Sequence, residues 1–107
     1  MGQLGKKLAF VPRSLGETTL QRIGNTPLLR FERITRNVAD VEVLAKAEWA
    51  NPGGSVKDRP AANIVAEATR AGKLGPGKTL LDSTSGNTGI AYAMLGAAQG
   101  LDRKSVV

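Results

Sequence analysis

Apolar and polar residues alternate from Val41 to Trp49, which is the pattern of a strand with one buried face. The apolar side chains fall on the odd positions, and Leu44 is the one apolar residue at an even position. Residues 51–54, Asn-Pro-Gly-Gly, are predicted to end the strand, because proline cannot donate to a ladder and paired glycines favour a turn.

The next segment has the period of a helix. Its apolar face comprises Ala61, Ile64, Val65 and Ala68. Gly72 is predicted to stop this helix just after Ala71. Two residues compete as its N-cap. Ser55 with Asp58 three residues later resembles a capping box, whereas Pro60, which lacks an N–H donor, favours Asp58 itself.

A second strand and a second helix follow. Residues 78–82 are predicted to form a short buried strand, and residues 90–99 a helix that is apolar on nearly every face. The order strand, helix, strand, helix indicates the α/β class, as a partial parallel sheet with flanking helices. Residues 101–107 are either the start of a further strand or an unrelated tail.

The first part of the chain shows little periodicity. Residues 16–22 are a candidate short helix. The Gly-Asn-Thr-Pro sequence at 24–27 predicts a tight turn that leads into a short strand, because glycine and asparagine tolerate positive φ. Considered alone, this motif is an ordinary turn.

Composition removes several classes of chemistry. The 107 residues include neither cysteine nor histidine, which excludes disulfides, thiolate metal sites, Ser-His-Asp and Cys-His catalysis and most zinc chemistry. The length allows one small domain, and no apolar run is long enough to cross a bilayer. No sustained apolar segment follows the basic start, so a secretory signal is not expected and the expected location is the cytoplasm.

The formal net charge of +6 raises the question of nucleic-acid binding. Seven of the fifteen basic residues lie in the first third of the chain, but the aromatic residues that would provide stacking platforms are few and scattered. Anionic small molecules are therefore the better candidates, and neither a nucleic acid nor a membrane is expected as a partner.

Lys57 is the leading candidate for chemistry. It follows two glycines at the point where a loop becomes a helix, so its backbone is held while its amine is able to face a ligand. Lysine amines in such settings act as Schiff-base nucleophiles or general bases. The plain alternative is a solvated surface charge, as most lysines are.

Residues 83–89, Ser-Thr-Ser-Gly-Asn-Thr-Gly, form a second candidate element between a strand and a helix. Hydroxyls, amides, two glycines and a helix N-terminus together favour binding of a carboxylate or a phosphate. Helix capping alone also selects serine, threonine and asparagine. Ligands bind beyond the carboxyl ends of parallel strands, so this loop and Lys57 are predicted to share one edge of the sheet.

Three motifs carry a family resemblance. They are residues 23–28 (Ile-Gly-Asn-Thr-Pro-Leu), 51–59 (Asn-Pro-Gly-Gly-Ser-Val-Lys-Asp-Arg) and 84–90 (Thr-Ser-Gly-Asn-Thr-Gly-Ile). In order and spacing they resemble the cysteine synthase and cystathionine β-synthase family, pyridoxal-phosphate enzymes of the tryptophan-synthase β-like fold. The resemblance covers about residues 20–100 and implies the N-terminal lobe of that fold.

The resemblance also implies roles for individual residues. Lys57 matches the lysine that binds pyridoxal 5'-phosphate covalently and later moves the substrate α-proton. Asn87 is similar to the asparagine that contacts the ring hydroxyl of the cofactor. The loop that holds the carboxylate of the amino-acid substrate is matched by Thr84, Ser85, Gly86, Asn87 and Thr88. The implied reaction is β-replacement, in which O-acetylserine or O-phosphoserine loses its leaving group and sulfide adds to give cysteine.

Part of the family pattern is not present. Its glycine-rich loop for the cofactor phosphate, and a hydroxyl facing the pyridine nitrogen, lie in the second half of a chain about three times as long. Residues 1–40 are expected to pack on a missing larger domain, and residues 41–107 to form an incomplete α/β cofactor and substrate lobe. Weak cofactor binding and little turnover are expected.

Three other interpretations stay open. The chain is also compatible with a cystathionine β-synthase or a serine or threonine deaminase relative, although the 84–89 loop favours the synthases. The missing phosphate loop supports a non-catalytic truncated remnant. The basic first third supports nucleic-acid binding. For whole family members the resemblance implies a homodimer.

Overall fold

The computed structural model describes residues 16–84 and 86–106, with side chains as far as Asp102. Within these ranges the strands are β1 (Leu28–Arg30), β2 (Leu44–Lys46), β3 (Thr79–Ser83) and β4 (Asp102–Val106), and the α-helices are α1 (Asp58–Arg70) and α2 (Asn87–Gln99). Two short 3-10 helices occupy Leu20–Arg22 and Glu48–Ala50. The α/β class predicted from the order of elements is confirmed.

The strands form two separate pairs. β1 and β2 are antiparallel, with Leu28 opposite Lys46, whereas β3 and β4 are parallel, with Thr79 opposite Asp102. The prediction that the strand before Lys57 belongs to the same parallel sheet as β3 is therefore wrong. The parallel arrangement holds for β3 and β4, which are joined through α2.

The strand predicted over residues 41–49 is shorter than its alternation suggested. The strand β2 ends at Lys46, and the last hydrogen bond to the neighbouring segment runs from Ala47 N to Pro27 O at 2.8 Å. Ala50 N then donates to Ala47 O at 3.0 Å. The chain thereby turns into the 3-10 helix Glu48–Ala50, and Trp49 is exposed instead of lying on a buried strand face. A local turn has overridden the period-2 pattern here.

Helix α1 begins one residue after the predicted lysine. Its N-cap is Lys57, so neither Ser55 nor Asp58 caps it, and its first-turn Pro60 occupies a position where no intrahelical donor is needed. The predicted stop is confirmed. Arg70 is the last helical residue, and Gly72 turns the chain with a φ of +71°.

The core lies where α1 packs against α2. Alternate positions of β3 contribute to it, because Leu80 packs against the core whereas Leu81 is exposed. Residues 102–106 form β4, so the strand interpretation of the last segment is confirmed. The buried members of the core are Ala61, Val65, Leu74, Ala91, Tyr92 and Leu95.

The hairpin made by β1, β2 and the loop between them, residues 28–46, lies outside this core. Its two strands contact each other far more than they contact the helices or the second strand pair. The radius of gyration is 19.1 Å, whereas a compact chain of this length would have about 13 Å. Neither helix in the part of the chain that the structure describes is long and apolar enough to cross a membrane.

Substitution of Leu95 tests this core. Leu95 is fully buried between the helices, so Leu95→Ala is expected to lower the free energy of unfolding by about 2–5 kcal/mol. Leu81→Ala is the matched control, because Leu81 is 63% exposed and its loss is expected to change stability by about 0.5 kcal/mol or less. Urea unfolding followed by far-UV circular dichroism measures both. Equal losses for the two variants would contradict the packing described.

Candidate functional site

Lys57 has a fixed backbone and an exposed side chain. Its N–H donates to Ser55 Oγ at 3.1 Å, and its carbonyl oxygen accepts the first hydrogen bond of α1 from Ala61 N at 3.1 Å. Across residues 16–84 and 86–106, no hydrogen bond or ion pair engages its Nζ atom. By contrast, the amines of Lys46 and Lys78 donate to the carbonyl oxygens of Thr26 and Gly72.

Glycine is required at each of the two positions, 53 and 54, that precede the Lys57 loop's last turn, for a different structural reason at each. Gly53 N donates to Asp58 Oδ2 at 2.5 Å, and a Cβ atom at position 53 would lie only 2.1 Å from Asp58 Oδ1. Gly54 has a φ of +86°, a conformation that side chains with a Cβ rarely adopt. The turn that precedes the lysine therefore requires glycine at both positions.

Asp58 is buried under this turn. Its side chain is fully inaccessible, and Oδ1 is the one buried side-chain polar atom among the described residues that lacks a hydrogen-bond partner. A buried carboxylate oxygen without a donor is unfavourable, although the N-terminus of α1 favours a negative charge at this position. The residue next to Lys57 in the chain thus carries a local energetic cost.

Asn51 organises the loop from inside. It is buried, and its Nδ2 donates to the carbonyl oxygens of Glu48 at 2.9 Å and Ser55 at 3.0 Å. Its Oδ1 accepts a hydrogen bond from Gly24 N at 2.7 Å. One amide side chain thereby joins the start and the middle of the lysine loop to the turn at residues 24–27.

Glu48 is the electrostatic centre of the same region. Its carboxylate accepts hydrogen bonds from Arg59 Nε at 2.8 Å and Nη2 at 3.0 Å, and from Thr26 Oγ1 at 2.5 Å. Arg59 Nη2 also donates to Thr26 Oγ1 at 3.1 Å. The hydrogen bonds from Arg59 first, and then from Thr26, lower the pKa of Glu48 to about 2, and Glu48 in turn raises the pKa of Arg59. Both groups are charged at neutral pH.

The residue patterns did not predict this cluster. Thr26 belongs to a motif interpreted as an ordinary turn, and Glu48 to an alternation interpreted as a strand. Glu48 and Arg59 are 11 residues apart, with a turn and a loop between them, so helical spacing gives no sign of their contact. The available signal was that residues 24–27 and 51–59 both belong to the motifs of the family resemblance.

The second loop is organised by Thr84. Its hydroxyl accepts hydrogen bonds from Gly86 N at 3.4 Å and Gly89 N at 3.1 Å. Gly86 is the N-cap of α2 and Asn87, an exposed residue, is its first helical residue, while Thr88 is half-buried. Ser85, the remaining predicted substrate residue, lies outside the described residues. The loop lies between β3 and α2 as predicted, but α2 begins at Asn87 and not at Ile90, so residues 87–89, predicted as loop, form its first turn.

The two loops are related through their helices. β2 precedes the Lys57 loop and β3 precedes the Thr84 loop, but these strands belong to different sheets, so one shared sheet edge does not relate the loops. Each loop is followed by a helix, α1 or α2, and these two helices pack against each other. Within residues 16–84 and 86–106 no cluster of acidic residues could hold a metal ion.

This combination of a fixed lysine loop and a polar turn before the next helix agrees with the family assignment. Residues 19–107 match the family model described as pyridoxal-phosphate dependent enzyme, and the chain belongs to that family. Among its relatives is the cysteine synthase of Aquifex aeolicus (strain VF5), 50% identical over 91 residues, which are 83% of this chain and 28% of the relative. The cystathionine beta-synthase of Rattus norvegicus is 50% identical over 82 residues, 76% of this chain and 15% of that protein.

A solved structure agrees with both the fold and the family. The crystal structure of cysteine synthase from Entamoeba histolytica superposes with a TM-score of 0.83 at 39% sequence identity. The match covers 91% of this chain and 30% of the Entamoeba histolytica chain. The tryptophan-synthase β-like fold implied by the three motifs is thereby confirmed. The chain spans about 28% of the length of the Aquifex aeolicus relative.

The pKa of Glu48 leads to a pH prediction. Because its pKa in the folded state, about 2, is below its ordinary value of 4.5, the ionised carboxylate favours the folded state. This contribution is present above pH 4.5 and is lost as the pH falls toward 2. Urea unfolding between these pH values, with an NMR titration of the Glu48 carboxyl carbon, measures it.

Two variants complete this pH experiment. Glu48→Gln is expected to remove most of the dependence of stability on pH in this range, since the titrating group is absent. Glu67→Gln, which breaks the exposed pair with Arg70, is expected to retain it. A Glu48 titration midpoint near 4.5 would show that its contacts with Arg59 and Thr26 are absent in solution.

Proposed function

We propose that the chain carries the lysine-bearing lobe of a cysteine synthase-like enzyme. The proposed reaction is β-replacement, in which sulfide displaces the acetate or phosphate group of O-acetylserine or O-phosphoserine to give cysteine. The observation that carries this proposal is the Lys57 amine, which is exposed and has no partner among the described residues on a backbone held by Ser55 and Ala61. Membership of a pyridoxal-phosphate dependent family supplies the chemical context.

The residues around Lys57 fit pyridoxal 5'-phosphate. A free amine is the group that an aldehyde requires, and a Cβ atom built at Gly54 or at Gly86 meets nothing within 4 Å, so there is open space beside both loops. When bound, the cofactor supplies an electron sink for the carbanion that forms at the substrate α-carbon. The work of this chain is to hold the cofactor through Lys57 and to move the α-proton with the same amine.

The second loop is assigned to the substrate. We place the α-carboxylate of the amino acid against Thr84, Ser85, Gly86, Asn87 and Thr88, and the cofactor ring hydroxyl against the Asn87 side chain. A helix N-terminus stabilises an anion, which supports a carboxylate at the start of α2. Exposure of Asn87 supports its access to a ligand.

A second candidate function is that of a cystathionine beta-synthase. The Rattus norvegicus protein of that name is as similar to this chain, at 50% identity, as the Aquifex aeolicus cysteine synthase. Identification of the product of the complete enzyme as cysteine or as cystathionine distinguishes the two activities.

Location and assembly follow from the same assignment. We place the protein in the cytoplasm, where a sulfide-consuming enzyme meets small water-soluble substrates. We also propose that the complete enzyme is a homodimer. Cell fractionation and sedimentation of that enzyme are the respective measurements.

Reaction with the cofactor tests the role of Lys57. Pyridoxal 5'-phosphate added to the full chain is expected to give a visible absorbance band and, after borohydride supplies hydride to the C=N bond, a stable pyridoxyl group on Lys57. Lys57→Ala is expected to abolish the band. Lys73→Ala, which removes an exposed lysine outside the loop, is expected to retain it. Persistence of the band in Lys57→Ala would refute the assignment.

We propose in addition that hairpin 28–46 packs on a second domain of the enzyme. It contacts the rest of the described chain little, and Ile34 at its tip is 68% exposed. Exposed apolar patches of this kind mark interaction surfaces. Its other exposed large apolar side chains include Leu28, Phe31, Val38, Val41 and Leu44.

Fragment complementation tests this domain interface. The full chain is expected to bind the part of the Aquifex aeolicus cysteine synthase that follows its matched residues, as measured by titration calorimetry. Leu28→Asp is expected to weaken this binding at least about tenfold, since it buries a charge in an apolar contact. Ile64→Asp alters an exposed residue of α1 and serves as the control. Equal effects of the two substitutions would contradict an interface at the hairpin.

A further inference from the structure

Two sequence segments meet at the base of the lysine loop. Gly24 and Thr26 come from the turn before β1, whereas Glu48, Asn51 and Arg59 come from the segment that surrounds Lys57. These five residues, here named the Glu48 network, are joined by direct hydrogen bonds between 2.5 and 3.1 Å.

We propose that Thr26, Glu48 and Arg59 are positioning residues for Lys57. They fix the two ends of the lysine loop relative to each other, so that the Lys57 amine is presented in one orientation. This inference rests on the proposed function, because it assigns these side chains a part in preparing that amine for the cofactor.

The first support is the geometry of the loop. Glu48 lies before the loop, and Arg59 lies after it, in the first turn of α1, two residues beyond Lys57. Arg59 Nε and Nη2 contact Glu48 at 2.8 and 3.0 Å, so two charge-assisted hydrogen bonds connect the two sides of the loop. Any rotation of the first turn of α1 that redirects Lys57 also disturbs this pair.

The second support comes from Thr26, whose hydroxyl both donates and accepts a hydrogen bond. Its Oγ1 donates to Glu48 Oε1 at 2.5 Å and accepts from Arg59 Nη2 at 3.1 Å. Thr26 is buried, and its carbonyl oxygen accepts a hydrogen bond from the amine of Lys46. A hydroxyl that donates to one member of an ion pair and accepts from the other fixes their mutual orientation.

The third support is the close approach of the turn. Gly24 has a φ of +85°, and a Cβ atom at this position would lie 3.0 Å from Arg59 Nη1. Glycine therefore allows the guanidinium group to lie against the backbone of the turn while Asn51 Oδ1 accepts the N–H of Gly24. The turn, which would otherwise be a simple connection, forms one wall of the network.

Global stability does not account for all of these contacts. Ionised Glu48 favours the folded state, but the side chains of Arg59 and Glu48 are 40% and 22% exposed, and solvent weakens an ion pair that it reaches. The helical core of Val65, Tyr92 and Leu95 does not include any of the three proposed residues. A partly buried network with this many directed hydrogen bonds is suited to fixing a local geometry.

The distribution of cofactor label among the lysines tests positioning. The full chain is treated with pyridoxal 5'-phosphate and borohydride, and peptide mass spectrometry gives the rate of labelling at Lys57 and, as an internal reference, at Lys73. In wild type we expect Lys57 to be labelled faster. Thr26→Val and Glu48→Gln are expected to lower the Lys57 rate roughly tenfold, since small displacements of a reacting group have large effects on rate, and to leave the Lys73 rate unchanged.

Two further variants separate positioning from folding. Thr26→Ser keeps the hydroxyl and is expected to retain the wild-type rate at Lys57, whereas Thr26→Val has nearly the same shape without it. Glu67→Gln removes an exposed ion pair remote from the loop and is also expected to retain it. Far-UV circular dichroism is expected to be the same for all variants, since the core is untouched.

The outcomes are distinguishable. If wild type labels Lys57 no faster than Lys73, the proposed function fails at its central residue. If wild type prefers Lys57 but Thr26→Val and Glu48→Gln label it at the wild-type rate, the proposed function stands and the positioning role is wrong. Equal losses in Thr26→Ser and Thr26→Val would also overturn the role of the hydroxyl.

Discussion

The carboxylate of Glu48 is the constraint on which the arrangement of the site depends. It is the common acceptor for Arg59 and Thr26, and its neighbour Asn51 extends the contacts to Gly24. Glu48 and its partners come from four different segments, which are a 3-10 helix, a turn, a loop and the start of α1. A charged acceptor that needs several donors brings them together, because an unpaired carboxylate in a half-buried place is unfavourable.

A second constraint is the unequal distribution of apolar contacts. α1 and α2 bury Val65, Ala91 and Leu95 between them, and β3 and β4 lie against α2. The hairpin 28–46 has no comparable support. The turn that precedes it contacts Arg59 and Asn51 through Thr26 and Gly24, and Ile23 packs against the core. The Glu48 network therefore lies where a helical unit meets a segment that exposes apolar surface.

Sequence patterns predicted two helices, the α/β class and the placement of Lys57 at the start of α1, because each of these depends on local spacing. The apolar period of α1, its stop at Gly72 and the glycines before the lysine are all local features. The shared sheet and the long strand over 41–49 were wrong, because pairing partners and a turn at Ala47 are decided by contacts that periodicity does not record. The Glu48 network was missed for the same reason, since it joins residues up to 33 positions apart.

The features of the lysine loop that disfavour folding lie close to Lys57 in the chain. Gly53 and Gly54 have more freedom to lose on folding than other residues, and Asp58 buries an oxygen without a donor. Left alone, such a loop would relax to many conformations, and the direction of the lysine would be lost. The directed bonds of Asn51, Glu48 and Arg59 offset that tendency, because they act on both ends of the same loop. Local unfavourable features beside the proposed reactive lysine, compensated by contacts from outside the loop, are the arrangement that a preorganised site requires.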